Sequence, residues 1–486
     1  MHPILPPLVA AAAFAVMARE PMAHTDVWAH VAYGQWTVAN GLPSTEPLLP
    51  SCRGVPMPPV DWLWNVTAYA LRCLPGGSAW LILLQAGPVA IAAGLLASRM
   101  LRTSQSAIAT LIGLGVAGWL LRHQLIIRPQ LAGLAGYAAT LWLLRLRPRR
   151  RHLAIAGVAF AFWANLHGSW PVGLVAIGLD AALGPHRRPR LAMLAVAAAA
   201  VCANPSGPLI YAGVLSVAGD AGIRDLIEWR PITETPSQLT AAIAASILLM
   251  GLLAATRRIR LADLALLVGT GAMMLDASRW IVWFAPIAGL VVADQLGRLG
   301  RRLNLRRRMR GQHQAVRLQT PGGASWSIVA LAWILAFACV PLRGRVSGST
   351  PIAAAAFLRE TDVSGELFNS QELGDTLLWF GPRSAVPHLH SHVHLLRPGV
   401  WERYRDAVEL RGDALGEFVT PERFAAVVLL RGRHAAAHDA LVASGRWRLA
   451  HADTLTVVLL PRRASGGRQE SSRRRPRRGG ATPSRR

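Results

Sequence analysis

The chain's 52 Lys+Arg residues are all arginine, and 21 of them stand in five short clusters between long apolar runs. Five clusters fall at Arg99 and Arg102, at Arg145 to Arg151, at Arg187 to Arg190, at Arg257 to Arg260, and at 298–317, which alone holds eight arginines. Around them lie apolar stretches at 5–18, 79–97, 105–121, 129–144, 153–166, 168–183, 191–203 (with room to extend to about 219), 239–255, 261–275, 280–293 and 325–342. Apolar segments joined by short cationic loops belong in a membrane, with those loops held on the cytoplasmic side. In hydrocarbon each spanning segment must satisfy its own backbone, so these stretches are expected to be helices. The composition agrees: 52% of residues are apolar and 16% charged, against about 25% charged in an ordinary soluble protein. The formal net charge of +26 is therefore topological information rather than a nucleic-acid-binding face, and no nucleic-acid partner is expected.

Placing all five clusters in the cytoplasm has one condition. Residues 153–183 must cross twice, turning near Asn165-Leu166-His167-Gly168, and 61–74 must lie at the outer interface. The expectation is an α-helical polytopic protein of the cytoplasmic membrane with about 11 spans, an inner N-terminus and an outer C-terminal region. Several stretches are shorter than the roughly 20 residues of a straight span. The first, 5–18, lacks a basic flank and a clear cleavage site and reads as a retained span. Cys52, Cys73, Cys202 and Cys339 are too scattered for a disulfide scaffold or a zinc knuckle, although Cys52 and Cys73 would share the outer face.

The same assignment sends His24, Asp26, His30, Asp61, Asn165, His167, Asp225, Glu228 and Arg279 to the outer side. Ionisable groups gathered at a membrane face, away from the cationic loops, mark a functional site by default. After 342 the composition changes. Residues 351–462 read as a small extracytoplasmic α/β domain, with strands expected at 385–396 and 455–460 and helices at 400–410 and 421–426. The Arg/Ser/Gly/Pro-rich tail, 463–486, reads as disordered, either simply solvated or gripping anionic polymer or lipid.

The first outer loop carries the densest chemistry. Asp26 and His30 are four apart and share one face of a short helix whose Trp28, Val31 and Trp36 suit an interface. Asp26 is either the cap of that helix or a carboxylate general base with His30 beside it. Asp61 is a cap or a second acid. His167 is a helix-end residue or a phosphate ligand, and Asn165 a turn residue or cap. Glu228-Trp229 is a sugar-stacking pair or an interfacial anchor. Asp263 and Asp276 mark the ends of one span. His388, His390, His392 and His394 alternate, so on a strand they would share one face, either solvated or able to hold zinc or copper.

In order along the chain, Asp26-x-x-x-His30, Tyr33-Gly34-Gln35-Trp36, Asn40-Gly41-Leu42-Pro43, Asp61-Trp62-Leu63, Trp163-Ala164-Asn165-Leu166-His167-Gly168, Asn204-Pro205-Ser206-Gly207, Glu228-Trp229, Leu367-Phe368-Asn369 and Gly374-Asp375-Thr376-Leu377 resemble the GT-C superfamily of integral membrane glycosyltransferases, the dolichyl-phosphate-mannose-protein mannosyltransferase-like group. The resemblance runs over about residues 5–460. It implies a GT-C-like membrane domain over 1–342 and a sugar passed from a polyprenyl-phosphate carrier to an acceptor at the outer face, usually with inversion. Asp26 matches the expected base, and Arg279, at the outer end of a span, is the arginine placed to bind the carrier phosphate, with His30, Asp61, Asn165, His167, Glu228 and Trp229 around the substrates.

The sequence departs from the family pattern in lacking an Asp-x-Asp or Asp-Glu pair in the first loop, so no metal and no other cofactor is expected beyond the donor substrate. The histidine run stands where related proteins place an aspartate. Two other functions fit a multi-span chain: a transporter of a lipid-linked anion, or a non-catalytic envelope assembly protein. Against the first, no inverted repeat and no acidic pair at mid-span is visible.

Overall fold

The computed structural model describes residues 2–22, 26–218, 222–309, 323–340 and 346–462. His24, Arg310, Arg317 and the 463–486 tail lie outside the described residues.

Each apolar stretch is helical. In chain order the helices are α1 Leu5–Arg19, α2 Asp26–Asn40, α3 Trp62–Cys73, α4 Ile82–Ser104, α5 Ala107–Leu121, α6 Gln130–Leu143, α7 Arg150–Leu166, α8 Trp170–Leu183, α9 Arg187–Val201, α10 Ile210–Ala218, α11 Pro236–Thr256, α12 Leu261–Asp276, α13 Ile281–Met309 and α14 Gly323–Ala338. The stretch from 191 to 219 is broken in two. Pro205 lacks an N–H and disfavours helical geometry at Asn204, so α9 ends and α10 restarts beyond a tight turn. Among the described residues, three helical stretches are long and apolar enough to cross a membrane: Gly77–Ser104, Pro236–Thr256 and Ser278–Leu303. Leu5–Arg19, Ala107–Leu121, Trp170–Leu183 and Ser325–Ala338 are apolar but shorter. Large apolar side chains such as Ile108, Leu111, Phe162, Ile247 and Met250 stand exposed on the outside of the bundle. That distribution suits lipid rather than water as the surrounding solvent.

Helices α5 and α13 cross at a point that only glycine permits. A Cβ built on Gly113 would stand 2.5 Å from the carbonyl oxygen of Gly289, and the converse contact is as tight. Small residues let two backbones touch, which is how helices gain packing energy where lipid offers no hydrophobic drive. Residues of the arginine clusters also tie helix ends together. Asp180 is ion-paired to Arg190 at 2.8 Å and also to Arg260, while Asp263 receives Arg99 at 2.9 Å. Arg190 and Arg99 also donate to the carbonyls of Leu144 and Leu141 at 2.8 and 2.6 Å, tying the end of α6 to α9 and α4.

The C-terminal residues build a five-stranded mixed sheet flanked by short helices. The strands are β1 Gly365–Asn369, β2 Ala385–Pro387, β3 Ala426–Leu430, β4 Trp447–Ala452 and β5 Thr456–Pro461, in the order β2-β1-β3-β5-β4. β2 and β3 run parallel to β1, and β5 runs antiparallel to β3 and β4. Alternate residues feed separate cores on the two faces: Phe368, Val427, Leu429, Val457 and Leu459 on one, Leu367, Ala426, Val428 and Val458 on the other. Helices α15 Ile352–Glu360, α16 Gly374–Phe380, α17 Val400–Val408, α18 Ala414–Phe418 and α19 Ala435–Ala443 complete the unit.

The strand at 455–460 and the helix at 400–410 are present, but two local expectations are corrected. The strand expected over 385–396 stops at Pro387, which cannot extend a hydrogen-bonded ladder. The histidines beyond it do not form a solvated strand face; His388 and His390 are buried. Residues 421–426 form a turn running into β3 rather than a helix, because the Ala426–Leu430 run pairs with strands on both sides. Gly113→Val is expected to destabilise the bundle by about 1–3 kcal/mol through overpacking, read as a lowered thermal midpoint of the detergent-solubilised protein. An unchanged midpoint would mean that α5 and α13 do not meet at this point.

Candidate active site

The site begins with α2. Every residue from Asp26 to Gly34 is buried, so this is not the half-wet interfacial helix that the sequence suggests. It lies between α3 and α16, because Gly34 lets its backbone approach the Asn65 carbonyl closely and Trp28 packs edge-on against Phe380 at 4.6 Å. The burial fixes the directions of Asp26 and His30.

Asp26 Oδ2 lies 2.7 Å from Nε of Arg128, in the turn before α6. The same guanidinium pairs with Glu228. Glu228 in turn lies 3.5 Å from Arg279, whose guanidinium sits 4.3 Å above the Trp229 ring. A row of alternating charge thus runs Asp26, Arg128, Glu228, Arg279. Burial by itself would raise the Glu228 pKa, but Arg128 and Arg279 more than offset it and hold the carboxyl below the usual range. Burial would likewise lower Arg128, and Asp26 and Glu228 reverse this, so its guanidinium stays charged.

A second group adjoins this row. His30 Nδ1 lies 2.7 Å from Asn65 Oδ1 and 3.5 Å from Asp61 Oδ2, and Asn65 also donates to Asp61 at 3.3 Å. Asp61 precedes α3 but makes no capping hydrogen bond; burial pushes its pKa up. The C-terminal domain closes the group. His390 Nε2 meets the Tyr33 hydroxyl at 2.7 Å, that hydroxyl donates to Glu46 at 2.7 Å, and the His392 ring stacks on Tyr33 with centroids 5.3 Å apart. Burial, with His30 nearby, pulls the His392 pKa down to about 4. Burial, then Arg279, pulls His167 down to about 3, so both imidazoles are neutral at physiological pH.

Asp26, Arg128, Glu228 and Arg279, with His30, Asp61, His167 and His392, line a cavity of about 1000 Å³ between the helical body and the C-terminal domain. The structure brings seven of the eight predicted site residues to it: Asp26, His30, Asp61, His167, Glu228, Trp229 and Arg279. Asn165 is placed elsewhere. It accepts from Trp62 Nε1 at 2.5 Å and donates to the Ala161 and Ala203 carbonyls, knotting α3, α7 and the end of α9 together. Trp229 carries Arg279 on one ring face, which removes that face from sugar stacking. Arg128 was not anticipated, and His392 was weighed only as part of an alternating run, not as a wall of this cavity. Arg128 carried the signal that singled out Arg279, an arginine at the end of an apolar stretch; the alternation around His392 hinted at a ligand, but its approach to His30, Tyr33 and Asp61, more than 300 positions away, left no local trace.

Arg128→Ala leaves Asp26 and Glu228 as carboxylates without their shared cation and is expected to cost about 3 kcal/mol, measured as a shift in denaturation midpoint in detergent. An unaltered midpoint would show that the two acids do not depend on it.

No known family profile matches the sequence, and no curated protein matches it. Solved structures do match. The archaeal oligosaccharyltransferase AglB from Archaeoglobus fulgidus, in complex with an inhibitory peptide and a dolichol-phosphate, aligns with a TM-score of 0.55 at 12% identity over 88% of this chain and 69% of that one. The apo form of the A. fulgidus oligosaccharyltransferase gives 0.54 at 12% identity, over 87% and 69%. The arabinofuranosyltransferase AftD from Mycobacteria gives 0.51 at 15% identity, over 93% of this chain and 39% of that one. All are GT-C glycosyltransferases, and the chain described here has their fold.

Proposed function

We propose that this chain is a membrane glycosyltransferase that moves a sugar from a polyprenyl-phosphate carrier to an acceptor at the outer face of the cytoplasmic membrane, with Asp26 as general base. The observation that carries the reading is the row Asp26–Arg128–Glu228–Arg279 on the wall of the cavity. The cavity is two-sided. Val60, Val172, Val214, Leu215 and Trp283 line an apolar flank, and Leu215 is 71% exposed on the outside of the bundle. Gln371, Tyr404 and Arg405 of the C-terminal domain form a polar flank. A molecule with a long apolar tail, an anionic linkage and a polar head fits that division, and the two guanidiniums stand near the boundary.

The chemistry follows from the pairing. The acceptor hydroxyl attacks the anomeric carbon, the bond from that carbon to the phosphate oxygen breaks with inversion, and the hydroxyl proton passes to Asp26. Negative charge grows on the departing polyprenyl phosphate, where Arg279 and Arg128 receive it; a guanidinium binds two phosphate oxygens at once. With no donor bound, Arg128 is neutralised by Asp26 and Glu228. An arriving phosphate competes for that cation and loosens its hold on Asp26, which raises the basicity of the carboxylate when an acceptor is present. Neutral His167, whose Nδ1 accepts from the Ser169 N–H at 3.2 Å, is left to offer Nε2–H toward the cavity.

Asp26→Asn should lower sugar transfer in isolated membranes by about 10²–10⁴-fold while the protein still elutes as a folded species. Transfer at the wild-type rate would overturn the assignment of the base. Arg279→Ala should weaken use of the lipid-linked donor, raising its KM before it alters the KM of the acceptor.

A further inference from the structure

Three side chains far apart in sequence converge at the edge of the cavity. His30 from α2, Asp61 ahead of α3 and His392 from the C-terminal domain each present one ligand-type atom, all within 4.8 Å of one another. The geometry points to a divalent transition-metal site with two imidazoles and one carboxylate, bridging the helical body and the C-terminal domain. Its open coordination position would face the substrate cavity.

Four observations support it. The first is spacing. Ligands about 2.0–2.2 Å from one zinc-like ion stand roughly 3.3–3.5 Å from each other in a tetrahedron, so these groups need close by at most about 1.5 Å. The second is orientation. The His30 Nδ1–H points to Asn65 Oδ1, which places the ring's lone pair on Nε2, and Asn65 also holds Asp61. A metal-binding histidine is normally oriented by such a second hydrogen bond. The third is His392 itself. Its ring is held by Tyr33 and by His390, with centroids 5.3 and 4.9 Å away, and its Nδ1 is buried without a hydrogen-bond partner. A buried nitrogen lacking a partner costs stability unless something coordinates it. The fourth is charge. Seven carboxylates and six arginines line the cavity, so with neutral imidazoles its wall carries a formal −1. Asp26 and Glu228 have guanidinium partners, whereas the ion-pair neighbour of Asp61 is an imidazole. A dication at Asp61 would turn the wall positive and make it hospitable to an anionic substrate.

Two nitrogens and one oxygen favour a borderline ion such as Zn²⁺, Co²⁺ or Mn²⁺ over Mg²⁺ or Ca²⁺, which prefer all-oxygen shells. Three protein ligands also leave a coordination position open, as in catalytic rather than structural sites. The ligand set stands whatever the reaction is; only its service to a donor phosphate rests on the reading above.

The test uses the full chain in detergent, purified without a polyhistidine tag, stripped with EDTA and titrated with Co²⁺ in the presence and absence of Zn²⁺. The wild type should bind one Co²⁺ with visible d–d absorption, displaced by Zn²⁺, and Zn²⁺ should raise its thermal midpoint. Asp61→Asn and His392→Gln should each lose the absorption and at least tenfold in affinity, while His438→Gln, outside the cavity lining, should keep both. Should Asp61→Asn fail to elute as a folded species, His392→Gln decides. Wild-type binding no stronger than that of the two ligand variants would overturn the site. Asp26→Asn separates the two readings: a variant that binds Co²⁺ normally supports the metal site whether or not it transfers sugar, and loss of its Co²⁺ binding would assign the ion to Asp26 and overturn the ligand set.

Discussion

The buried guanidinium of Arg128 is the interaction on which the cavity end of this protein turns. An arginine removed from water needs compensating charge, and one carboxylate would leave part of its fork unpaired. Arg128 takes two, Asp26 from the start of α2 and Glu228 from the loop ahead of α11. Those elements are distant in the chain, and this demand holds them together at the end of α6. Glu228 then brings in Arg279 at the head of α13. The row is therefore both a structural clamp and an arrangement that leaves carboxylates and two cations facing one cavity. Its two roles conflict mildly, since a carboxylate held by arginine is a poor base. A site that opens its ion pairs only to an anionic ligand resolves that conflict.

The other ends of the helices show the same device without the cavity. Asp180 and Asp263 are each held by more than one arginine, and the remaining guanidinium donors go to backbone carbonyls at the end of α6. Here both carboxylates are enclosed by guanidiniums, and neither lines the cavity. The contrast between the two faces lies less in which residues are present than in whether their partners leave an open side. It explains why buried charge alone does not mark a site.

Much of the helical body was legible because lipid imposes a simple rule: apolar stretches become helices and arginine loops separate them. The boundaries at 105–121, 168–183 and 239–255 fall within a few residues of α5, α8 and α11. Seven of the eight candidate residues gather at one cavity, as the inference that polar groups away from the arginine loops share one face leads one to expect. The failures share a cause. Asn165 answers to the backbone carbonyls freed where α7 and α9 end, which no spacing reveals. The histidine run was read from its alternation, yet Pro387 ends the strand and burial against Tyr33 and Glu366 decides where His390 and His388 point. Those are tertiary contacts across hundreds of residues, and a local pattern cannot encode them.

The same long-range contacts determine what the C-terminal domain is for. A domain that merely sat beside the membrane body would need only a complementary surface. This one inserts His390 beside a buried tyrosine and sets His392 against His30, and Trp401 and Arg405 both engage Asp225 of the loop ahead of α11 at 2.7 and 2.8 Å. Each contact lies at or near the cavity wall. Buried polar contacts of this kind specify one docked geometry more than they add affinity, because a small displacement leaves several groups unsatisfied together. The cavity consequently has its full wall only when the domain is seated, so the domain belongs to the site rather than to its periphery.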